Sequence, residues 1–316
     1  MIPIRKAQIT DVLQDVHFQE KGVIVHLRRE DLLHPEVSGN KWRKLKYNLI
    51  KAKETGHDTL LTFGGAYSNH LTAAAAAANL CGFKSIGLVR GEKIEPLNAS
   101  LKFCLEKGME LHLISRSDFD LKNDKDFIAD LRERFPRFYL IPEGGSNYLG
   151  INGCMEILNA QDVGYDFIAC ACGTTTMACG LLLSSGADQK VLVFSPFKQK
   201  GYALDMIQKN LDRYFLNNES AIDYLSRLEI VENFSLGGFA KRNEALFSYV
   251  KSFYKKHKIK LDPIYTSKMM FGLSQMIEND QFKRFGSILA IHSGGLQGWN
   301  GFPETEPLFQ AHTINS

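Results

Sequence analysis

The amino-acid sequence predicts an α/β protein built on parallel β-sheets. Eight short apolar segments alternate with amphipathic ones along the chain. Most are apolar on both faces, which is typical of strands of a parallel sheet covered by helices. The repeated order strand, helix, strand predicts right-handed crossovers between parallel neighbours. The predicted strands are residues 23–27, 59–63, 85–89, 110–114, 138–141, 167–171, 191–194 and 288–291.

Helical periodicity fills most of the intervals between these strands. It predicts helices over residues 44–54, 70–80, 97–107, 125–135 and 177–183. Four strand–helix units fall between residues 52 and 155, and no repeat or Pro/Gly-rich linker separates them from the rest. We therefore expect a small α/β domain of residues 52–155, inserted in a larger domain formed by residues 1–51 and 156–316.

Composition narrows the classes of function. The chain has 316 residues, and its 38 basic and 35 acidic side chains give a net charge of +3, so neither nucleic acid nor an anionic membrane is an expected partner. The N-terminus lacks the apolar core of a secretory signal, which makes a cytoplasmic location the expectation. The six cysteines are scattered without zinc-site spacing and predict buried thiols, with no metal.

The segment Ser38-Gly-Asn-Lys-Trp-Arg-Lys44 carries the most informative lysine. Lys41 lies between a strand and the predicted helix 44–54, where it faces the positive end of the helix dipole. That field and partial burial favour the neutral amine, the form that condenses with an aldehyde. A solvated surface lysine is the alternative, and position alone does not decide between them.

Two further segments combine a strand, a glycine turn and the start of a helix. In Phe63-Gly-Gly-Ala-Tyr-Ser-Asn-His70, the glycines allow close approach of a ligand, and backbone N–H groups at the helix start attract a carboxylate. Simple N-capping by Ser68 or Asn69 explains the same residues equally well. In Ala171-Cys-Gly-Thr-Thr-Thr-Met177, a glycine and three hydroxyls at a helix start favour a phosphate site over a plain connection.

Two weaker segments complete the set. Asp262-Pro-Ile-Tyr-Thr-Ser-Lys268 and His292-Ser-Gly-Gly295 are both predicted to be loops. The second follows the last strand, at the end where open α/β sheets bind their ligands.

Together and in this order, these five segments resemble the fold-type-II pyridoxal-phosphate enzymes, which are similar to the tryptophan synthase β-subunit. Within that group the sequence is most similar to the 1-aminocyclopropane-1-carboxylate deaminase and D-cysteine desulfhydrase family. The resemblance extends from about residue 3 to residue 301. It implies two parallel-sheet α/β domains with pyridoxal 5'-phosphate in the cleft between them, a small amino-acid substrate and a homodimer.

The resemblance also implies roles for individual residues. Lys41 matches the lysine that binds the cofactor covalently and moves the substrate Cα proton. Asn69 matches the partner of the cofactor's 3'-oxygen. Ser68 and His70 match residues that meet the substrate carboxylate or act as an acid–base pair near it. The cofactor's phosphate is expected in a cup formed by Gly173, Thr174, Thr175 and Thr176.

Tyr265 and Thr266 match residues around the cofactor ring. Tyr265 matches the ring that stacks on the pyridine and takes part in catalysis, and Thr266 the partner of the ring nitrogen. Members of the family that open the cyclopropane ring carry glutamate in place of Thr266 and tyrosine in place of Phe239, and they tend to have glutamine in place of His70. A hydroxyl cannot keep the pyridine nitrogen protonated as a carboxylate can, which favours elimination of a good leaving group over ring opening.

The predicted function is therefore a lyase of the D-cysteine desulfhydrase type. It would release pyruvate, sulfide and ammonia from D-cysteine. The alternatives are 1-aminocyclopropane-1-carboxylate deamination to 2-oxobutanoate and ammonia, a racemase or dehydratase on the same cofactor, and a non-catalytic protein that binds the cofactor. A nicotinamide oxidoreductase is disfavoured because the G-x-G-x-x-G spacing is absent.

Overall fold

The computed structural model describes residues 2, 4, 8–135, 137–215, 219–241 and 243–302. The outer ends of the predicted large domain, residues 1 and 316, lie outside the described residues. Residue 3, where the family resemblance begins, also lies outside them.

The described residues contain ten β-strands. All eight predicted strands are present, with ends that move by no more than two residues. The strands are β1 (Thr10–Val12), β2 (Ile24–Arg28), β3 (Thr59–Gly65), β4 (Lys84–Arg90), β5 (Met109–Ile114), β6 (Phe138–Ile141), β7 (Phe167–Ala171), β8 (Lys190–Phe194), β9 (Leu228–Val231) and β10 (Ser287–Ile291). The sequence interpretation missed β1 and β9, because both are short edge strands with mixed polar and apolar residues.

Helices separate most of these strands, as the sequence predicted. The five predicted helices correspond to α2, α3, α4, α6 and α8. Within the described residues the helices are α1 (Val16–Glu20), α2 (Asn40–Glu54), α3 (Asn69–Cys81), α4 (Ala99–Glu106), α5 (Arg116–Asp120), α6 (Lys125–Arg134), α7 (Tyr148–Met155), α8 (Thr176–Ser184), α9 (Tyr202–Phe215), α10 (Glu219–Leu225), α11 (Glu244–His257) and α12 (Thr266–Glu278).

The larger sheet has six strands in the order β1-β2-β10-β7-β8-β9. Its pairings are parallel except for the antiparallel edge strand β1. Side chains along β7 and β10 alternate between two buried clusters: Ala169 and Ala290 pack with α11 and α12, whereas Cys170 and Leu289 pack with α7, α8 and α9. Helices therefore cover both faces of this sheet, which explains its continuous apolar strands.

The smaller sheet has four parallel strands in the order β5-β4-β3-β6, all drawn from residues 59–141. We propose that this sheet is the centre of the small domain predicted for residues 52–155. Helix α2 packs against this sheet through Trp42, Leu45 and Leu49, whereas Ile151 of α7 belongs to a cluster of the larger sheet. The two helices α2 and α7 also pack on each other, so they join the two halves of the protein.

The C-terminal ends of three parallel strands lead directly into predicted site segments. Strand β3 leads to Ser68, β7 to Gly173 and β10 to His292. Ligands of open parallel sheets bind at these ends. The fold therefore directs polar segments from both sheets to the same side of the protein.

Candidate active site

Lys41 lies in the first turn of α2, because the helix begins at Asn40 and not at residue 44 as predicted. Gly39, with φ of +62°, precedes the helix in a conformation that favours glycine. The Lys41 ammonium donates to Asn40 Oδ1 at 2.6 Å, and the Asn40 backbone N–H donates to the Ser293 carbonyl at 3.2 Å. Burial and the nearby charge of Lys44 lower the pKa of Lys41 to about 7. A large fraction of this amine is therefore neutral near neutral pH.

The second segment starts helix α3 beside Lys41. Ser68 is the N-cap, and its hydroxyl accepts hydrogen bonds from the backbone N–H groups of His70 and Leu71. The capping alternative is thus realised by Ser68, which frees Asn69. The Asn69 side chain packs against Gly295, and its Oδ1 is buried without a hydrogen-bond partner. An unpartnered buried oxygen costs free energy, so this atom is suited to meet a donor on a ligand.

His70 is buried next to the lysines of α2. Its Nε2 lies 2.8 Å from Thr62 Oγ1, and its Nδ1 has no hydrogen-bond partner. Burial and the charges of Lys41 and Lys44 lower the pKa of His70 to about 3. The ring is therefore neutral throughout the physiological pH range.

The third segment forms the start of helix α8. The N-cap Thr175 has φ of +57° and makes no side-chain cap, so it does not occupy the first backbone N–H groups of the helix. The hydroxyls of Thr174 and Thr176 lie 3.0 Å apart. Asn210 of α9 supports this turn by donating to the Thr174 carbonyl and the Thr175 hydroxyl. Unused N–H groups and clustered hydroxyls are the features of a phosphate site.

Lys44 completes this site, and the sequence interpretation had not assigned it a role. It is buried, and its ammonium donates to Thr174 Oγ1 at 3.2 Å. Burial lowers the pKa of Lys44, and Lys44 forms no salt bridge within the described residues. A buried cation without an anion requires compensation by a ligand. Its spacing from Lys41 could have indicated this role in the sequence, because residues three apart on a helix lie on the same face.

A glycine turn between β6 and α7 also borders the site and was missed in the sequence. Gly144 and Gly145 both have positive φ. A Cβ at Gly144 would lie 2.5 Å from a Thr174 methyl, and one at Gly145 would lie 2.9 Å from Lys44 Cβ. The turn thus fills the gap between the lysine and threonine segments, where a larger residue would clash.

The segment that starts at Asp262 was predicted to be a loop, and this was wrong for its second half. Helix α12 begins at Thr266 and includes Ser267 and Lys268. The Asp262 carboxylate accepts from the backbone N–H groups of Ile264, Tyr265 and Thr266, which accounts for the tight start of the helix. The Thr266 hydroxyl is buried without a partner, so it too is suited to meet a ligand.

Contacts between these segments join them around one site. Gly39 packs on Ser293, and Gly295 packs on Asn69 and Asp262. On the other side, a Cβ at Gly173 would lie 3.3–3.5 Å from the Tyr265 side chain. The segments joined in this way contain all predicted site residues: Lys41, Ser68, Asn69, His70, Gly173, Thr174, Thr175, Thr176, Tyr265 and Thr266.

An aromatic group lies beside Tyr265. The half-exposed ring of Phe239 meets Tyr265 edge-on at 5.8 Å between centroids and stacks on Phe197 at 6.0 Å. The Lys268 ammonium donates to the carbonyls of Ser235 and Gly238 at 2.7 Å each, which ties this segment to α12. Phe239 is thus held next to a central ring of the site.

Five of the six cysteines are buried, as expected. Burial raises the pKa of Cys154 to about 11 and that of Cys179 to about 12. Both therefore remain protonated thiols. In the part of the chain that the structure describes, there is no cluster of three metal-ligand side chains. None of the described helices has the length and apolar character required to cross a bilayer.

The sequence matches one family model, described as pyridoxal-phosphate dependent enzyme, over residues 10–294. The bifunctional D-cysteine desulfhydrase/1-aminocyclopropane-1-carboxylate deaminase of Arabidopsis thaliana, a mitochondrial protein, is 31% identical over 301 residues, which cover 88% of this chain and 73% of the relative. A putative 1-aminocyclopropane-1-carboxylate deaminase of Thermotoga maritima is 30% identical over 298 residues, which cover 89% and 91% of the two chains.

The fold is similar to that of a solved structure. A crystal structure described as an ACC deaminase homologue superposes with a TM-score of 0.80 at 24% identity, covering 96% of this chain and 93% of that one. The expected fold-type-II architecture is therefore confirmed.

Proposed function

Because the chain belongs to the pyridoxal-phosphate dependent enzymes, whose family model covers most of its length, we propose that it catalyses β-elimination on a small amino acid. The proposed reaction is that of a D-cysteine desulfhydrase. D-cysteine would yield pyruvate, sulfide and ammonia. The relative from Arabidopsis carries this activity in its name together with the deaminase activity.

The observation that carries the proposal is the state of the Lys41 amine. It lies at the start of α2, hydrogen-bonded to Asn40, with a pKa of about 7. A lysine with an ordinary pKa would be almost fully protonated at neutral pH and would be a poor nucleophile and base. Lys41 is suited both to attach to an aldehyde and to accept a proton.

The residues of the candidate site fit pyridoxal phosphate. Its phosphate dianion would compensate the buried Lys44 ammonium and receive the backbone N–H groups at Gly173–Thr176. Tyr265 would stack on the pyridine ring. Asn69 would meet the 3'-oxygen and Thr266 the ring nitrogen, and each of these two residues has a buried polar atom without a partner. When bound, the cofactor supplies an aldehyde for amines and a ring that stabilises negative charge at the substrate Cα.

The remaining steps are assigned to the protein's own side chains. With the cofactor bound, the neutral Lys41 amine would take the proton from the substrate Cα. Asn40 keeps the lysine near the helix start through its 2.6 Å hydrogen bond. The Ser68 hydroxyl, whose oxygen caps α3, would donate its proton to the substrate carboxylate at the helix start, where the helix dipole favours negative charge.

Elimination is favoured over ring opening by Thr266 and Phe239. Thr266 carries no charge that would hold a nearby pyridine nitrogen protonated. Phe239 lies next to Tyr265 and has no hydroxyl for proton transfer at a ring carbon. A substrate with a good β-leaving group requires less charge stabilisation, and D-cysteine has such a group.

Deamination of 1-aminocyclopropane-1-carboxylate is the second candidate, favoured by the name of the Thermotoga relative. A single experiment separates the two. The purified enzyme with its cofactor is given D-cysteine, β-chloro-D-alanine or the cyclopropane amino acid, and the 2-oxo acid is identified. We expect pyruvate from the first two and little 2-oxobutanoate from the third. Efficient 2-oxobutanoate formation, with D-cysteine only inhibiting, would replace this proposal by the deaminase.

We further propose that the enzyme is a homodimer, as the family resemblance implies, and that it is cytoplasmic. Light scattering is expected to give twice the mass of one chain, and cell fractionation to recover the activity in the cytosol. A monomer that retains full activity would contradict the first point, and recovery with organelles the second.

A further inference from the structure

Thr62 links His70 to the neighbouring strand. It lies in β3, in register with Ile141 of β6. Its hydroxyl oxygen is 2.7 Å from the Ile141 carbonyl oxygen and 2.8 Å from His70 Nε2. All three residues are buried, so water does not compete for these hydrogen bonds.

The positions of the protons follow from these two contacts. A carbonyl oxygen only accepts, so the single hydroxyl proton of Thr62 must point at Ile141. The Thr62 oxygen must then accept from His70, which places a proton on Nε2. The ring is neutral, since its pKa is about 3, and a neutral imidazole carries only one N–H. Nδ1 is therefore unprotonated, and its lone pair is free to accept a hydrogen bond.

The His70 ring borders the glycine turn of the active site. A Cβ at Gly145 would lie 3.7 Å from His70 Cε1, the carbon between the two ring nitrogens, and 2.9 Å from Lys44 Cβ. Because Nε2 is engaged by Thr62, Nδ1 is the ring nitrogen that remains available here. Nδ1 is buried and without a hydrogen-bond partner. Because a buried acceptor requires a donor, the site is short of one N–H or O–H group at this place.

We propose that Thr62 is a positioning residue that holds His70 as the Nε2–H tautomer, so that Nδ1 accepts a hydrogen bond from the amino group of the substrate. A carboxylate is excluded from this position because two lone pairs would face each other. Of the two roles expected for His70, the assignment disfavours a partner of the carboxylate and makes the ring a hydrogen-bond acceptor near it. The chemical use of Nδ1 rests on the proposed function, whereas the tautomer itself does not.

The tautomer is measured directly by nitrogen NMR of the histidine rings. The signals of His70 are assigned by their loss in His70→Gln. In the unmodified protein we expect the proton on Nε2 and an unprotonated Nδ1, from pH 5 to pH 9. A proton on Nδ1, or titration of the ring in this interval, would overturn the proposal without any need for a variant.

Two variants test whether Thr62 fixes the tautomer of His70. Thr62→Val keeps the shape and removes the hydroxyl, whereas Thr62→Ser keeps the hydroxyl. We expect a mixture of tautomers in Thr62→Val and the original tautomer in Thr62→Ser. With the cofactor bound, Thr62→Val should lower kcat/KM for D-cysteine by roughly two- to tenfold, the value of one hydrogen bond, and Thr62→Ser should restore it.

A third measurement separates positioning from general damage. The Thr62 hydroxyl forms its hydrogen bonds with His70 and Ile141 and not with the phosphate site, so the affinity for pyridoxal phosphate should be the same in both variants. If Thr62→Val kept the tautomer and the kinetics of the unmodified enzyme, Thr62 would have no positioning role. The expected tautomer in a protein that forms no pyruvate would remove the proposed function and leave the tautomer assignment intact.

Discussion

Gly39 and Ser293 are in such close contact that only glycine can occupy position 39. A Cβ at Gly39 would lie 2.0 Å from the Ser293 carbonyl oxygen. The loop before α2 therefore packs tightly on the turn after β10. This contact brings Lys41, at the start of α2, close to the C-terminal end of β10. The position of Lys41 thus depends on a backbone contact between segments that are far apart in the sequence.

The first prediction concerns this contact. Gly39→Ala is expected to cost more than about 4 kcal/mol of unfolding free energy, because the clash is with backbone that cannot move independently. Gly56→Ala is the matched control. Its φ of +69° is similar, but a Cβ there meets nothing within 4 Å, so only the conformational penalty of about 1 kcal/mol remains. Denaturant unfolding measures both, and equal losses would show that the contact does not restrict position 39.

The second prediction concerns Lys44. Lys44→Met should raise the Kd for pyridoxal phosphate roughly ten- to a hundredfold, because a charge-assisted hydrogen bond to the phosphate is lost. The affinity for pyridoxal, which has no phosphate, should change little. Lys46→Met is the control, since Lys46 lies on the same helix but pairs with Glu156. Equal weakening of both ligands would exclude Lys44 from the phosphate site.

The third prediction separates the backbone from the hydroxyls of the phosphate site. Thr174→Ala should weaken cofactor binding by only about 1 kcal/mol, the value of one hydroxyl hydrogen bond. Gly173→Val should weaken cofactor binding far more, because even a Cβ would lie 3.3 Å from Tyr265 and the branched side chain would enter the cofactor site. Equilibrium dialysis with the apoenzyme measures both. Full occupancy in Gly173→Val would place the phosphate elsewhere.

The fourth prediction follows from the depressed pKa of Lys41. The neutral amine is the reactive form, so the rate at which the apoenzyme combines with pyridoxal phosphate should rise with pH and level off above a midpoint near 7. An ordinary lysine would give a midpoint above pH 10. Stopped-flow absorbance measures the rate, with pH-matched free lysine as the reference. A midpoint near that of free lysine would contradict the electrostatic account.

The sequence predicted most of the fold because the strands are buried on both faces. Their continuous apolar runs, such as residues 167–171 and 288–291, are distinct from all surrounding segments. Edge strand β9 was missed because its residues, among them Glu229, lie at the rim and lack this signal. The start of α2 was placed four residues late because Gly39 and Asn40 favour turns, whereas the contact with Ser293 helps to stabilise the helix from Asn40.

The chemistry of the site was predictable where it depends on a local segment. Asn69 and Gly173–Thr176 lie where a strand ends and a helix begins, and Lys41 lies where a helix begins, which is visible in the sequence. Lys44, Gly145 and Thr62 were missed because their roles come from contacts between segments that are distant in the sequence. A buried lysine is recognised only when its surroundings are known, and the same holds for a threonine whose proton is directed by a neighbouring strand.

Borohydride reduction of the loaded enzyme is the most direct test of the central claim, that Lys41 is the amine that carries the cofactor. Reduction fixes the cofactor to the amine that holds it, and peptide mapping then locates the label. We predict a yellow protein, one label per chain on Lys41, and in Lys41→Ala no label and a loss of turnover by several orders of magnitude. A label on Lys44, Lys268 or any other lysine would contradict the account.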